Sequence, residues 1–486
     1  MNKRQRKKYK SEQKLNSIEN KKYEQYDTKM NFSSLDKLFT NSKSTSTNTI
    51  TSYTQDSIDT YLNSPYSYSD KLRLISDYFY YKNGVYKNLI NSFANFPTLD
   101  NIIVPTKSTL EKSTDKAYNT YLDKVNSYVD SISIKTITRK ILKSIARYGG
   151  YVGYERTNGS QTYIQTLPLD YCRIKYQVGY EMQIEFNFKY FDNFYQQEDL
   201  DLAWQVFPPE FQKLYNAYQK DNKSQEPQWQ MIDIKKTWCV LYDDDEPFFI
   251  PPFCSVFNSI LSNENFEVLA KIGEELDTTK IITQKVPTDT KTGKVLIPKD
   301  QVQVFHKFLT SITPEGASAI TSPFDINSVS LTDQNRQKQN LLEQSLNNIF
   351  IDSGMTKALF ADNGGNSALS ANIEVSSANI YAILEKIEQL INAKFNYVAS
   401  SKNYTFKLHF FRTTNLNIKD NFDRAVSLLN LGGSLSVVYS LSGIPPEAYD
   451  TLLQVENQNG MKNNLQVPPN ANTQSTDPNN TGGRPT

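Results

Sequence analysis

Between Leu167 and Phe191 the chain reads LPLDYCRIKYQVGYEMQIEFNFKYF. Apolar and polar residues alternate over two runs, Cys172–Tyr176 and Met182–Phe188, with Gly179 between them. A period of two puts successive side chains on opposite faces of an extended backbone, so the stretch predicts a β-hairpin with one buried face. The aromatic end, FNFKYF, makes that face heavy.

Helical periodicity surrounds this hairpin. Leu72, Ile75, Tyr78 and Phe79 recur at three- and four-residue spacing, and Asn83-Gly84 ends that helix. A second helix runs from Val85 to Phe96 before Pro97, and helical texture continues from Ala117 to Ile145, stopping at Gly149-Gly150. Strands follow from Tyr151 to Phe191, then a helix over 204–220 entered at Pro208-Pro209, then a strand pair over Trp229–Tyr242. Phe253–Leu276 reads as a helix, residues 281–331 as a small α+β insertion, and Thr332 or Asp333 caps the next helix. The stretch Gly354–Asn372 is a glycine-containing loop, followed by a helix over Ile373–Phe395 with Ile380, Ile383, Leu384, Ile387, Leu390, Ile391 and Phe395 on one face. A strand at Tyr404–Phe411 and helices at Asp420–Leu431, Leu435–Leu441 and Pro446–Glu456 complete an α+β chain.

Bulk properties exclude several classes. The 486 residues allow two to four domains, and 53 basic against 52 acidic residues give a net charge of +1, so total charge announces no nucleic-acid binder. The 31 Tyr and 26 Phe make aromatics the main source of apolar burial and favour interfaces. Cys172, Cys239 and Cys254 form no CxxC pair and only His306 and His409 are present, which predicts buried thiols with no zinc site and no disulfide framework. No apolar run reaches the ~18 residues of a membrane helix, and the basic start MNKRQRKKYK leads into no apolar signal core. The expectation is a protein that works in cytoplasm or in a particle assembled there. Residues 1–55 read as a mobile basic arm, either an electrostatic tether to nucleic acid or a solvated tail, and the segment after Val467 has a disordered composition.

Little here supports catalysis. Thr292-Gly293-Lys294 is a fragment of a phosphate-binding loop without its leading glycine or trailing hydroxyl. Asp243, Asp244, Asp245 and Glu246 offer hard oxygen ligands, but consecutive residues in an extended segment face opposite ways, so a solvated turn is preferred. His306 and His409 lack a nucleophile motif and read as structural. Glu274, Glu275 and Asp277 crowd a helix C-terminus, where the macrodipole disfavours acids; a negatively charged lumen and an ordinary wet face both fit. Arg336 and Lys338 stand near a helix N-terminus, open to a phosphate or to solvent. No catalytic residue, metal or cofactor is expected.

Several blocks stand in order: LRLISDYFYYKNGVYKNLINSFANFPTLDNIIVP (72–105), LPLDYCRI…EFNFKYFD (167–192), FPPEFQKLY (207–215), the helix–insertion–helix unit 253–353, SGMTKALF (353–360), the long helix 373–395, LSGIPPEAYDTLLQVEN (441–457) and GGRP (482–485). In this order they are similar to the portal proteins of tailed bacteriophages of Gram-positive hosts, the SPP1-like and HK97-like group. The resemblance implies a dodecameric ring around a DNA channel, with wing, stem, clip and crown. It assigns 56–252 and 372–415 to the wing, 253–279 and 332–353 to two stem helices, 280–331 to the clip, 354–371 to a tunnel loop, 416–465 to the crown and 466–486 to a tail. Implied DNA-facing residues are Lys357, Asn363, Gly364, Gly365 and Asn366 of the loop. Glu274, Glu275, Arg336 and Lys338 are candidates for the stem and lumen, and Lys291, Lys294 and Lys299 for partner binding in the clip.

The implied role is to form the channel at one capsid vertex of the virion and to nucleate head assembly there. Its implied partners are double-stranded DNA, the terminase large subunit, the major capsid and scaffolding proteins, a head–tail adaptor and further copies of itself, with no membrane. Near-neutral charge suits a lumen through which DNA must slide, because every phosphate neutralised adds affinity that opposes movement. Two alternatives are another structural virion protein, such as a minor capsid or tail-adaptor subunit, and a metal-dependent nucleic-acid enzyme using the Asp243 cluster or His306.

Overall fold

The computed structural model describes residues 53–106, 109, 116–158, 161–195, 200–221, 224–278, 280–289, 292, 294–312, 317–322, 332–355, 366–399, 401 and 403–459. The predicted hairpin is present. Strands Cys172–Val178 and Glu181–Asn187 pair antiparallel from Cys172↔Phe186 to Val178↔Glu181, with a bulge between Ile174 and Tyr176. Gly179 turns the chain at φ +60°, a conformation glycine adopts without a Cβ penalty.

One detail departs from the alternation. The second strand is buried on both faces, polar positions included, and each buried polar group brings its partners. Gln183 Nε2 donates to the Ile232 carbonyl at 2.6 Å, while the Glu185 carboxylate accepts from Arg173 Nε at 2.5 Å and pairs with Lys175 at 3.3 Å. Alternation marks side-chain direction alone, so it could not reveal that the second face is covered as well.

The strands Trp229–Met231 and Thr237–Leu241 both form, but they are not a hairpin. The first extends the sheet of the 172–187 hairpin, through Glu185↔Met231 to Asn187↔Trp229. The second joins Gly150–Asn158 and Gln161–Thr166 in a separate antiparallel sheet, with Gly150–Asn158 in the middle. Every residue of Thr237–Leu241 is buried, a pattern that needs cover on both faces. Around these sheets Phe186, Phe188, Tyr190, Phe191, Phe207 and Phe211 form one aromatic core, with Phe186 5.3 Å from both Phe188 and Phe211.

The helices follow their periodicity, with informative boundary shifts. The first two predicted helices are Ser69–Lys82 and Gly84–Asn95, with Leu72, Ile75 and Phe79 buried. A helix over Gln55–Leu62 precedes them, closed by a Thr54/Ser57 capping box. Tyr53 and Thr54 therefore do not belong to a mobile arm, and Tyr53 meets Tyr78 edge-on at 5.3 Å. Residues 117–145 form two helices, Lys116–Ser131 and Ile134–Tyr148, because Ser133 takes a left-handed φ of +51° and its carbonyl accepts from Thr136 and Ile137. The 204–220 helix is likewise two, Leu200–Val206 and Pro209–Lys220. Pro208 lacks an N–H, and a residue before proline is pushed out of helical geometry. At Gly149, φ is +85° and an added Cβ would stand 1.9 Å from the Ile250 carbonyl oxygen, so two constraints require glycine there.

The described chain divides into two compact units. One runs up to Phe93 and from Lys140 to Ala378; it contains the sheets above. The other joins Ala94–Arg139 to the residues from Asn379 onward. Its centre is residues 379–399 of the helix Asn366–Ala399, where the predicted apolar face from Ile380 to Phe395 is buried. The strand Phe406–Phe410 pairs antiparallel with Asn101–Pro105, from Asn101↔Phe410 to Pro105↔Phe406. The outer edge of Phe406–Phe410 is closed by side chains: Asn392 exchanges two hydrogen bonds with Leu408, and Glu388 accepts from the Phe410 N–H and contacts His409 Nδ1, both at 2.9 Å. Helices Ile418–Asn430, Leu435–Leu441 and Pro446–Gln458 follow, and Tyr439 stacks on Tyr449 at 3.7 Å.

Aromatic burial has a consequence at high pH. Burial pushes the Tyr151 hydroxyl up to about 12 and raises Tyr86 and Tyr190 further in the same direction. A folded-state pKa above the unfolded value of 10.0 gives stability that is complete below pH 10 and is lost as pH rises through about 12. Chemical denaturation between pH 8 and 11 is therefore expected to show a midpoint that begins to fall near pH 9, where the Cys172, Cys239 and Cys254 thiols ionise in the unfolded chain before they do in the fold, and that falls more steeply above about pH 10, with a shallower fall above pH 10 in Tyr151→Phe.

Candidate functional site

The segment 253–353 is a helix–insertion–helix unit, called here the arm. Its two helices, Phe257–Thr278 and Thr332–Ser353, are each 22 residues long, or about 33 Å. They pack antiparallel: Ser255 Oγ donates to the Asp352 carbonyl at 3.1 Å and Ser259 Oγ to Asp352 Oδ2 at 2.5 Å, joining the start of one helix to the end of the other.

The base of the arm is anchored. Val256, Phe257, Ile260 and Ile349 are buried, and the Phe257 ring lies 5.4 Å from Phe79 and 5.8 Å from Tyr86. Asn258 Nδ2 donates to Asp59 Oδ1 at 2.6 Å, and Lys82 pairs with Glu264 at 2.7 Å. Past Glu264 the side chains of Val268 and Leu269 are more than half exposed.

The insertion sits at the far end. Strands Lys280–Lys285 and Ala317–Ser322 pair in parallel, from Lys280↔Ala317 to Lys285↔Ser322. Parallel neighbours need a crossover, and the helix Lys299–Ile312 supplies it. His306 Nδ1 meets Thr321 Oγ1 at 2.9 Å and so ties the helix to the second strand. No residue of this helix is buried: Val304, Phe305, Phe308 and Ile312 stand open, as do Val295 and Leu296 before it. An amphipathic helix gains most of its stability by burying its apolar face. In the isolated chain this one does not do so.

The sequence-derived site residues fall along the same arm. Glu274 and Glu275 lie in the last two turns of Phe257–Thr278, and Arg336 and Lys338 in the first two turns of Thr332–Ser353. The antiparallel packing brings these two termini to the same end of the arm. Lys294 and Lys299 are exposed on the insertion, Lys299 as the first residue of its helix; Lys291 lies outside the described residues.

In the expected loop 354–371, Gly354 turns the chain at φ +67° and Met355 is buried. Lys357, Asn363, Gly364 and Gly365 lie outside the described residues. Asn366 is the first residue of the helix Asn366–Ala399, so residues 366–371 are helical and not loop. Beyond Gly365 the run NSALSAN has neither glycine nor proline to stop the helix extending back to that point.

The other chemistry candidates make local contacts. Asp243 Oδ1 accepts the Asp245 N–H at 3.1 Å, a turn contact, while Glu246 accepts from the Tyr66 hydroxyl. Among the described residues no group of three or more His, Cys, Asp or Glu could hold a metal ion, and no helix is long and apolar enough to cross a membrane. Cys172 and Cys239 are buried thiols and Cys254 is nearly so; burial raises all three, which opposes thiolate formation. Sequence reading did not find the open apolar face of Lys299–Ile312 as a site. The helical spacing of Val304, Phe308 and Ile312 was visible, but that spacing is the same whether a face is covered or bare.

No family model and no curated protein matches the chain. Among solved structures it is similar to a chain of the virion of a native gene transfer agent particle, at 10% identity and a TM-score of 0.42, over 78% of this chain and 94% of that one. A chain from the neck of a native gene transfer agent particle, computed with C12 symmetry, gives 10% identity and a TM-score of 0.41 over 78% and 94%. An HK97 family phage portal protein from Corynebacterium diphtheriae gives 10% identity and a TM-score of 0.29 over 68% and 98%.

Proposed function

We propose that this chain is a portal subunit: copies close into a ring whose central channel passes double-stranded DNA into and out of a phage head. The observation that carries this reading is the arm. Two long antiparallel helices end in an insertion whose crossover helix buries none of its residues, with Val268, Leu269, Val304, Phe305, Phe308 and Ile312 left in water. Unpaired apolar surface of this kind marks an interaction surface. A closed ring covers it with a different surface of the next copy, as heterologous interfaces do.

The ordered sequence blocks 72–105, 167–192, 207–215, 253–353 and 441–457 support the same reading, because they resemble portal proteins in that family's own order. On this reading the arm helices are the stem, and the insertion with Lys294 and Lys299 is the clip that docks terminase and later the head–tail adaptor. The segment around Lys357–Asn366 faces DNA, and the helices from Ile418 form the crown. The chain itself carries out no chemistry; ATP hydrolysis belongs to the motor. The protein resides at one vertex of the virion.

Sedimentation velocity of the full chain at micromolar concentration tests this. A discrete species many times the 55.7 kDa monomer mass is expected. Monomers or dimers alone would contradict the proposal.

A further inference from the structure

We infer that Lys87, Lys143 and Arg147, gathered around the ring of Tyr80, form a docking site for the phosphodiester backbone of duplex DNA. The choice of DNA as the polyanion rests on the portal reading; the cation cluster itself does not. The Arg147 guanidinium lies 4.1 Å from the Tyr80 ring centroid, Lys143 Nζ 5.2 Å and Lys87 Nζ 5.9 Å. Three helices bring them together: Tyr80 from Ser69–Lys82, Lys87 from Gly84–Asn95, and Lys143 and Arg147 from Ile134–Tyr148.

The charge balance is one-sided. The helix Ile134–Tyr148 carries Lys135, Arg139, Lys140, Lys143 and Arg147 with no acid of its own, Lys135 being paired with Asp100 at 2.6 Å, and Lys87 is the one charged residue of Gly84–Asn95. The nearby carboxylate, Asp77, is taken by Arg147 Nε at 2.7 Å. Among the described residues neither Lys87 nor Lys143 makes an ion pair. The local field is visible on Tyr80: burial pushes its hydroxyl up, yet the hydrogen bond with Lys143 and the charges of Lys143, Arg147 and Lys87 outweigh that and bring it below its usual value.

Stacking on Tyr80 accounts for where the cations lie. It does not neutralise them. Two amines without counter-ions beside a guanidinium present separate contacts of the kind that successive phosphates accept. The neighbouring Tyr81, 73% exposed with Arg147 5.0 Å from its ring, widens the surface. A grip of this sort opposes sliding, so it suits DNA held against the protein and not DNA in transit through the channel.

The test is fluorescence anisotropy of the full chain with a labelled duplex of about 30 base pairs, over about 50 to 200 mM salt. For Lys87→Gln/Lys143→Gln the expected result is at least tenfold weaker binding and a log K against log salt slope reduced by about 2, since each lost phosphate contact removes about 0.9. Lys189→Gln/Lys220→Gln removes two exposed lysines elsewhere in the same unit and is expected to stay within twofold of the parent. An unchanged slope in the first variant, an equal loss in both pairs, or binding of inorganic phosphate without binding of duplex overturns the site. Sedimentation of the same samples separates the two claims. A ring with an unchanged slope removes the site and leaves the portal reading, whereas monomers with the expected slope change do the reverse.

Discussion

Phe186→Ala is expected to lower the unfolding free energy by about 3–5 kcal/mol, a loss large enough to prevent folding of its unit at physiological temperature. Phe186 is fully buried, and its ring lies 5.3 Å from Phe188, 5.8 Å from Tyr190, 6.2 Å from Phe191 and 5.3 Å from Phe211. Removing it takes the common neighbour out of that set. The surrounding rings come from the helix Lys189–Phe194, from Phe188 at its N-cap and from the helix Pro209–Lys220, so they cannot close together without moving several elements. Urea denaturation followed by near-ultraviolet circular dichroism measures the loss. Tyr176→Ala on the paired strand, where the side chain is half exposed, is expected to change stability by no more than ~0.5 kcal/mol. Similar losses at both positions would mean that the aromatic core is not where the stability of this unit lies.

Val304→Glu/Phe308→Glu is expected to abolish ring assembly while leaving the folded monomer intact. Both side chains are 63% exposed on the crossover helix, so in the single chain their replacement by carboxylates costs little. In an assembled ring the same positions would bury two unpaired charges per subunit, and an unpaired buried charge is strongly destabilising, at about 3–5 kcal/mol. Multiplied around a closed ring, that cost leaves monomers. The checks are sedimentation velocity for assembly and circular dichroism with thermal melting for the fold. Rings that persist in this variant would show that the helix Lys299–Ile312 is not part of the contact between copies.

These two substitutions also separate what the sequence made legible from what it did not. Phe186 could be named as core because a period of two allows one reading of a run such as Met182–Phe188, and a glycine at 179 fixed the turn. The buried face of Ile380–Phe395 was equally plain, since seven apolar residues share one side of a helix.

Pairing was harder. Nothing in the stretch 229–242 distinguishes two strands that pair with each other from two that join separate sheets, because partner choice depends on residues far away in the chain. Breaks without glycine or proline were also hidden. Ser133 enters left-handed geometry between two helices whose apolar spacing runs on across it, and the capping box at Thr54 opens a helix inside a polar region.

The helix–insertion–helix order was legible, and it is the part of the candidate site that periodicity alone can give. The helix–insertion–helix order placed the arm, and Glu274, Glu275, Arg336 and Lys338 fall at one end of it. The bare apolar face of Lys299–Ile312 and the cation cluster on Tyr80 depend on what covers or surrounds a residue in space, and periodicity carries no such information.

The central claim is that copies of this chain close into a ring around a channel. Negative-stain electron microscopy of the purified full chain tests it most directly. End-on class averages are expected to show closed rings with a stain-filled centre wide enough for a DNA duplex, and side views a narrower stem below a broader body. Fields of single compact particles, or open filaments of stacked subunits without a central channel, would contradict it.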